Sequence, residues 1–330
     1  MKWTYKAAGV DITAGEEAVA GIKALVKETF NANVLSELGL FGGCYLLPIQ
    51  QYRNPVLVAS TDGVGTKLLI AQQMGVHESV GQCLVNHCVN DILTTGAQPL
   101  FFLDYIGTGH LAPAMVKEII SGMAQACRAN GCALIGGEMA EMPGLYHASD
   151  YDLVGTIVGI VERGNLLVNR VQRGDVLLGL PSSGLHTNGY TLARRVLLPH
   201  YSLTTYVPEL GMTLGEALLT VHLSYLPVVK SLLSRAGLHA ISHITGGGII
   251  GNTRRVIPPE FELIIDWEAW QMPPIFRLIQ HLGKVTDEEM RRVFNLGIGL
   301  VLIVAKSAAD EFARIITEEG MQPVIIGEVR

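Results

Sequence analysis

The chain has 330 residues, 49% of them apolar and 16% charged, with 37 glycines and a formal net charge of −6. That length allows two domains with cores of their own, and sparse charge with abundant glycine excludes a disordered or coiled-coil protein in favour of an α/β enzyme rich in tight turns. The acidic balance argues against a nucleic-acid or membrane-surface partner, while a few local cations suffice for a small phosphorylated substrate.

The N-terminal stretch "MKWTYKAAGVDITAGEE" is too polar for a signal peptide. The helix that follows is expected from near Ala14, capped by Thr13, with Ile22, Leu25, Val26 and Phe30 at helical spacing. A looser segment, "GLFGGCY", leads to a short strand, "PVLVAS", which runs into "STDGVGTK" at Ser60–Lys67. This stretch is neither a P-loop nor G-x-G-x-x-G, because Leu68 stands where the third glycine would be. Its glycines, Gly63 and Gly65, let a backbone approach a ligand; Lys67 offers a cation and Asp62 a carboxylate for Mg²⁺. Taken alone, a plain strand-to-helix turn explains it equally well.

A helical pattern from about Ser79 to Thr95 carries "NHCVND". Asn86 and Asn90 share one face, as do His87 and Asp91, amid apolar neighbours. Buried polar groups need partners, so Asp91 and Asn90 read as functional and His87 as an ordinary satisfied histidine. The strand "PLFFLDYIG" holds Asp104 in an apolar setting, which points to a ligand or an internal salt bridge. A helix from about Pro113 to Asn130 and the strand "CALIGGE" then lead to a glycine-rich loop bearing Glu138 and Glu141, where α/β proteins gather ligands. "YDLVGTIVGIVE" is the next strand, and the polar run Arg163–Asp175 marks a boundary between domains 1–168 and 169–330.

The second half repeats the interleaving of strands and helices. The loop "SSGLHTNGY" sets His186, Thr187 and Asn188 between glycines, suited to holding phosphate or moving a proton. Helical segments are expected at about Gly189–Leu198 and Thr213–Arg235. "HITGGGIIGN" places Gly246, Gly247 and Gly248 before a further helix, an anion cradle. The longest apolar run, "LGIGLVLIVA", is a buried strand, far short of the ~18 residues that span a bilayer. The five dispersed cysteines, with no C-x-x-C pair, read as reduced thiols of a cytoplasmic protein. Together the acids, anion-binding loops and histidine suggest phosphoryl transfer with Mg²⁺ and a nucleotide.

"YKAAGVDITAG", "STDGVGTK", "VNDIL", "PLFFLDY", "GCALIGGEMAEMPGLY", "SSGLHTNGY", "HITGGG" and "FNLGIGL" also occur in the order and spacing of one family. The chain resembles, over essentially its whole length, the phosphoribosylformylglycinamidine cyclo-ligases, or aminoimidazole ribonucleotide synthetases. The resemblance implies an ATP-dependent ring closure in purine biosynthesis. It implies a homodimer whose two N-terminal sheets close a β-barrel, and a C-terminal mixed sheet packed with helices. It implies Mg²⁺ at Asp62, Asp91 and Glu138, and ATP near Lys27, Gly42 and Gly43 and along Asp62, Gly63, Gly65, Thr66, Lys67 and Asn90. The substrate formylglycinamidine ribonucleotide falls to Glu141, His186 and Asn188 and to Thr245, Gly246, Gly247 and Gly248. Catalysis falls to His186, Lys67 and Asp91. One departure is Met139, where the family usually has threonine. The rivals are a selenophosphate synthetase-like or thiamin-phosphate kinase-like enzyme, and an inactive nucleotide-binding regulator.

Overall fold

The computed structural model describes residues 3–330; Met1 and Lys2, the start of the polar N-terminal stretch, lie outside it. Its contacts divide the chain into two units. One runs through Ile92 and resumes over Gln98–Ile160; the other joins Leu93–Ala97 to Val161–Arg330. Among the described residues, no helix is long and apolar enough to cross a membrane.

In the first unit the elements are α1 (Ile12–Lys27), β1 (Pro55–Gly63), α2 (Leu68–Met74), α3 (Glu78–Leu93), β2 (Gln98–Thr108), α4 (Pro113–Ala129), β3 (Ala133–Glu141) and β4 (Tyr151–Glu162). The α1 cap is Asp11, not Thr13: its carboxylate accepts the Thr13 N–H at 3.1 Å. A carboxylate there satisfies an orphan amide and is worth about 1 kcal/mol. The four strands lie in the order β1-β4-β2-β3. β2 runs parallel to β3 and antiparallel to β4. Helices α3 and α4 touch backbone to backbone, because a side chain on Gly81 or Gly122 would overlap the facing carbonyl of Ile119 or Glu78. β1 is an edge strand with one face exposed, Leu57 being 54% accessible, and the other half-buried.

The second unit holds β5 (Val176–Pro181), α5 (Tyr190–Leu197), β6 (Tyr206–Val207), β7 (Met212–Thr213), α6 (Leu214–Leu219), α7 (Leu226–Val229), β8 (Leu238–His243), α8 (Gly248–Thr253), β9 (Leu263–Ile265), α9 (Pro274–Gly283), α10 (Asp287–Val293), β10 (Ile298–Val304), α11 (Ala309–Glu318) and β11 (Val324–Val329). β6 and β7 pair with each other alone, and the other five strands form a sheet in the order β8-β10-β5-β11-β9. The four pairings are antiparallel, so the mixed sheet expected here is instead the N-terminal one. β10 is buried at every residue and forms the middle of the core, beside Ile249, Ile257 and Ile326. The single helix expected over Thr213–Arg235 is broken. Thr213 starts α6 with a capping box to Glu216, and the chain leaves helix at Thr220. It re-enters at α7, where proline stands in the first turn; that residue has no N–H for a preceding helical turn to use.

Candidate active site

In the first unit, β1 continues through Ser60, Thr61 and Asp62 before the chain turns at Gly65–Lys67 into α2. Asp62 therefore leaves the end of a strand, and Asp91 reaches it from α3. Between them stands His87, its side chain 3% exposed, with Nε2 2.9 Å from Asp62 Oδ2 and 3.8 Å from Asp91 Oδ2. Ser60 donates to Asp91 Oδ2 at 3.0 Å, and the Gly63 N–H donates to Asp62 Oδ1 at 2.6 Å. Burial pulls the His87 imidazole down. The Asp62 hydrogen bond and the charges of Asp91 and Asp62 outweigh that and hold its pKa above the ordinary value. His87, read as ordinary from sequence, is thus the group that lets two carboxylates stay close. The side chains of Asp62 and Asp91 remain 45% and 24% exposed, open to a hard cation.

The neighbouring residues are divided differently from expectation. Lys67 is 0% exposed, its Nζ 3.2 Å from Cys83 Sγ, so the ammonium faces α3 rather than outward. Asn90 is likewise fully buried. Gly63, Gly65 and Thr66 form the turn itself, and Gly65 adopts φ 68°, which a side chain disfavours. Glu138 lies in β3, not in a loop, in register with Tyr105 of β2. Since β3 and β1 are opposite edges of the four-stranded sheet, three spacings of about 4.8 Å separate Glu138 from Asp62. Within one chain, Glu138 does not join the Asp62–Asp91 pair on one ion. It lines instead a cavity of about 110 Å³ with Asp104, Ile22, Leu40 and Ile135. Among the described residues, Asp104 makes no salt bridge. Burial pushes its carboxyl up to about 7, against a smaller opposing pull from its own backbone amide. Lys27 ends α1 in an exposed ion pair with Glu37 at 2.7 Å. Gly42 is open, and Gly43 packs against Ile135.

Glu141 has an internal role. Its side chain is 4% exposed and accepts the N–H groups of Asp11 at 2.6 Å and Leu111 at 2.8 Å, with His110 at 3.1 Å. Both oxygens are engaged, and Glu141 also lines a cavity with Asp11, Glu138 and Met139. Met139, where a hydroxyl was expected, shares the same cavity as Glu138.

In the second unit, the loop after β5 and the loop after β8 meet. Asn188 Oδ1 lies 3.4 Å from where a side chain on Gly246 would begin. Gly246 and Gly247 are exposed, while Gly247 and Gly248 take φ 108° and 65°. Asn252 braces this turn: its amide donates to the Thr245 and Gly248 carbonyls, and its carbonyl accepts from Thr245 Oγ1 at 3.1 Å. Asn295 braces the other, accepting from Ser182 Oγ at 3.0 Å and donating to the Gly184 carbonyl at 2.8 Å.

The family described as "AIR synthase related protein, N-terminal domain" matches residues 44–161, and its C-terminal counterpart matches residues 172–330. The phosphoribosylformylglycinamidine cyclo-ligase of Alkaliphilus oremlandii is 47% identical over 332 aligned residues, covering 100% of this chain and 97% of that protein. The chain belongs to the phosphoribosylformylglycinamidine cyclo-ligase family. The cyclo-ligase of Carboxydothermus hydrogenoformans is also 47% identical, over 99% of this chain and 96% of its own. Among solved structures, thiamine-monophosphate kinase from Stenotrophomonas maltophilia has a TM-score of 0.67 at 18% identity, covering 94% of this chain and 93% of its own. Hydrogenase maturation protein HypE in complex with ATP has a TM-score of 0.66 at 16% identity, covering 92% and 83%. Those two share the fold.

Within the cyclo-ligase family frame, His186 is the least expected placement. It is 1% exposed at φ 60°, with Nε2 accepting the Ser183 N–H at 3.2 Å, so it packs beneath its loop rather than projecting from it. Sequence reasoning also missed Asn252 and Asn295. Their signal was an asparagine in or beside a glycine turn, the residue that can bond backbone on both sides.

Proposed function

We infer that the chain closes the imidazole ring of aminoimidazole ribonucleotide from formylglycinamidine ribonucleotide, with ATP converted to ADP and phosphate. ATP phosphorylates the formyl oxygen, the ribose-bearing amidine nitrogen attacks the activated carbon, and phosphate leaves. The observation that carries this reading is identity of 44–47% across the full chain with eight cyclo-ligases. Thiamine-monophosphate kinase from Stenotrophomonas maltophilia shares the fold at only 18% identity, which disfavours the kinase-like rival, and intact Asp62 and Asp91 speak against an inactive regulator.

Asp62 and Asp91 are the Mg²⁺ ligands in this proposal: two carboxylates, adjacent and open, form a hard-oxygen donor set. When bound, Mg²⁺ neutralises charge on the transferring phosphoryl group. His87 holds the two carboxylates at their spacing. The exposed amides of Gly246 and Gly247, with Asn188 beside them, offer donors to the ribonucleotide phosphate. Lys67 ties the Gly63–Lys67 turn to α3 through Cys83, orienting the turn rather than touching phosphate. Lys27 and Gly42–Gly43 mark the nucleotide side of the apolar cavity.

The division into an ATP- and dimer-forming half, residues 1–168, and a C-terminal half, 169–330, belongs to the same proposal. So do a cytoplasmic location and a homodimer closing a β-barrel through the N-terminal sheets. Support for the dimer comes from edge strand β1, whose Leu57 face is exposed, with Leu40, Phe41, Leu46 and Ile49 exposed on the preceding segment. A light-scattering mass of one chain would overturn it.

The decisive assay adds ATP and Mg²⁺ to purified protein. ADP appears only with formylglycinamidine ribonucleotide, and the product gives a coloured diazo derivative. Steady ATP turnover without that substrate, or none with it, overturns the reading.

A further inference from the structure

Three histidines of the second unit form one buried column. His186 is 1% exposed, His222 0% and His243 6%. The rings of His186 and His222 stack with centroids 4.0 Å apart and planes 18° from parallel. His222 Nε2 lies 3.1 Å from His243 Nε2, and its Nδ1 lies 3.3 Å from Thr187 Oγ1. The space is made by Gly299: a side chain there would stand 2.6 Å from His186 Cε1 and overlap the Tyr225 hydroxyl. His186 and Thr187 belong to the loop after β5, and His243 ends β8, two residues before the Thr245–Gly248 turn. His222 belongs to neither; it comes from the break between α6 and α7.

An apolar residue would fill such a site without desolvating polar atoms. Imidazole does something more. Two ring nitrogens in one hydrogen bond share one proton, so one ring donates and the other accepts. The orientation of His243 is thereby tied to that of His222. The same ring stacks on His186 and bonds Thr187, so a single side chain links the roots of both loops.

We propose that His222 is a positioning residue: it holds the Asn188 loop and the Gly246–Gly248 turn in mutual register and so sets affinity for the ribonucleotide phosphate. This rests on reading those loops as the substrate side. It predicts a loss in substrate affinity, with nucleotide affinity and the chemical step spared.

Steady-state kinetics on the full chain test it, with His222→Phe removing both nitrogens while keeping a stacked ring, and His222→Gln returning a polar amide. With His222→Phe, KM for formylglycinamidine ribonucleotide rises about tenfold or more, the effect expected of losing the buried hydrogen bonds of both ring nitrogens. The KM for ATP and kcat stay within about twofold, and His222→Gln recovers most of the loss. Nitrogen-15 histidine spectra of the wild-type protein show one protonated and one bare Nε2 for the His222–His243 pair. An unchanged ribonucleotide KM in His222→Phe overturns the proposal. So does a parallel loss in both KM values and thermal stability that glutamine does not rescue, which marks a mere filler. Both Nε2 atoms protonated also overturns it. If the wild-type protein fails to cyclise formylglycinamidine ribonucleotide, the functional reading falls instead, and the spectra still decide whether the hydrogen bond exists.

Discussion

The two units solve opposite problems with the same residue type. In the first, one buried histidine sits between two carboxylates that remain open to solvent, Asp62 at 45% and Asp91 at 24%. In the second, three buried histidines form a column in which His222 stacks on His186 and hydrogen-bonds His243 and Thr187, beneath loops whose exposed donors are backbone amides. Like charges can be held side by side only with a counter-charge between them and water or a cation in reach. Imidazoles that donate and accept among themselves need only complementary partners, so they can be enclosed. The first arrangement suits a metal–phosphate site; the second suits a rigid scaffold under a phosphate-binding turn. Asp104, half-buried in the first unit, stands between the two cases: it lines a largely apolar cavity, and burial pushes its carboxyl up to about 7.

The largest effect expected from breaking this contrast is at Asp91. Asp91→Asn keeps the side chain's shape and the Ser60 contact but removes a charge, and Mg²⁺-dependent ADP release falls by about a hundredfold or more. Turnover near wild type would remove Asp91 from the metal site.

The enclosed side breaks through volume rather than charge. Gly299→Ala pushes a methyl group into His186 and Tyr225, and costs about 1–3 kcal/mol of stability, read from the urea midpoint. A variant as stable as wild type would mean the column is loosely packed.

The smallest effect sharpens the comparison by pH. Asp104 holds its proton to about 7 in the folded chain but loses it near 3.8 when unfolded. Between those values the folded state binds the extra proton, so stability falls as pH rises through that window and levels off above it. Asp104→Asn removes this slope, and its stability relative to wild type rises from pH 4 to pH 8 by on the order of 1–2 kcal/mol, allowing for partial exposure. Denaturant midpoints at the two pH values check it; parallel curves for the two proteins would show that Asp104 is ionised in the fold.

Much of this was determined by the sequence itself. The strand into "STDGVGTK", the i,i+4 pairing of His87 with Asp91, the strand around Asp104 and the two glycine-rich loops of the second half are local patterns. Their spacing dictates which residues share a face or a turn. The family also follows from the order of its motifs. Only the tertiary structure decided how charges were shared out. Asp62 and Asp91 are 29 positions apart in sequence, and nothing local says that His87 stands between them. Glu138 and Glu141 look alike in "GGEMAEMPG", yet strand order sends one to a cavity far from Asp62 and lets the other bond Asp11 and Leu111. Lys67 reads as a phosphate ligand until α3 is folded against it. His222, in a stretch that reads as continuous helix, acquires its neighbours only when α6 and α7 separate. Hydrogen bonds and ion pairs depend on distances of a few ångströms between residues far apart in the chain, and local periodicity carries no information about those distances.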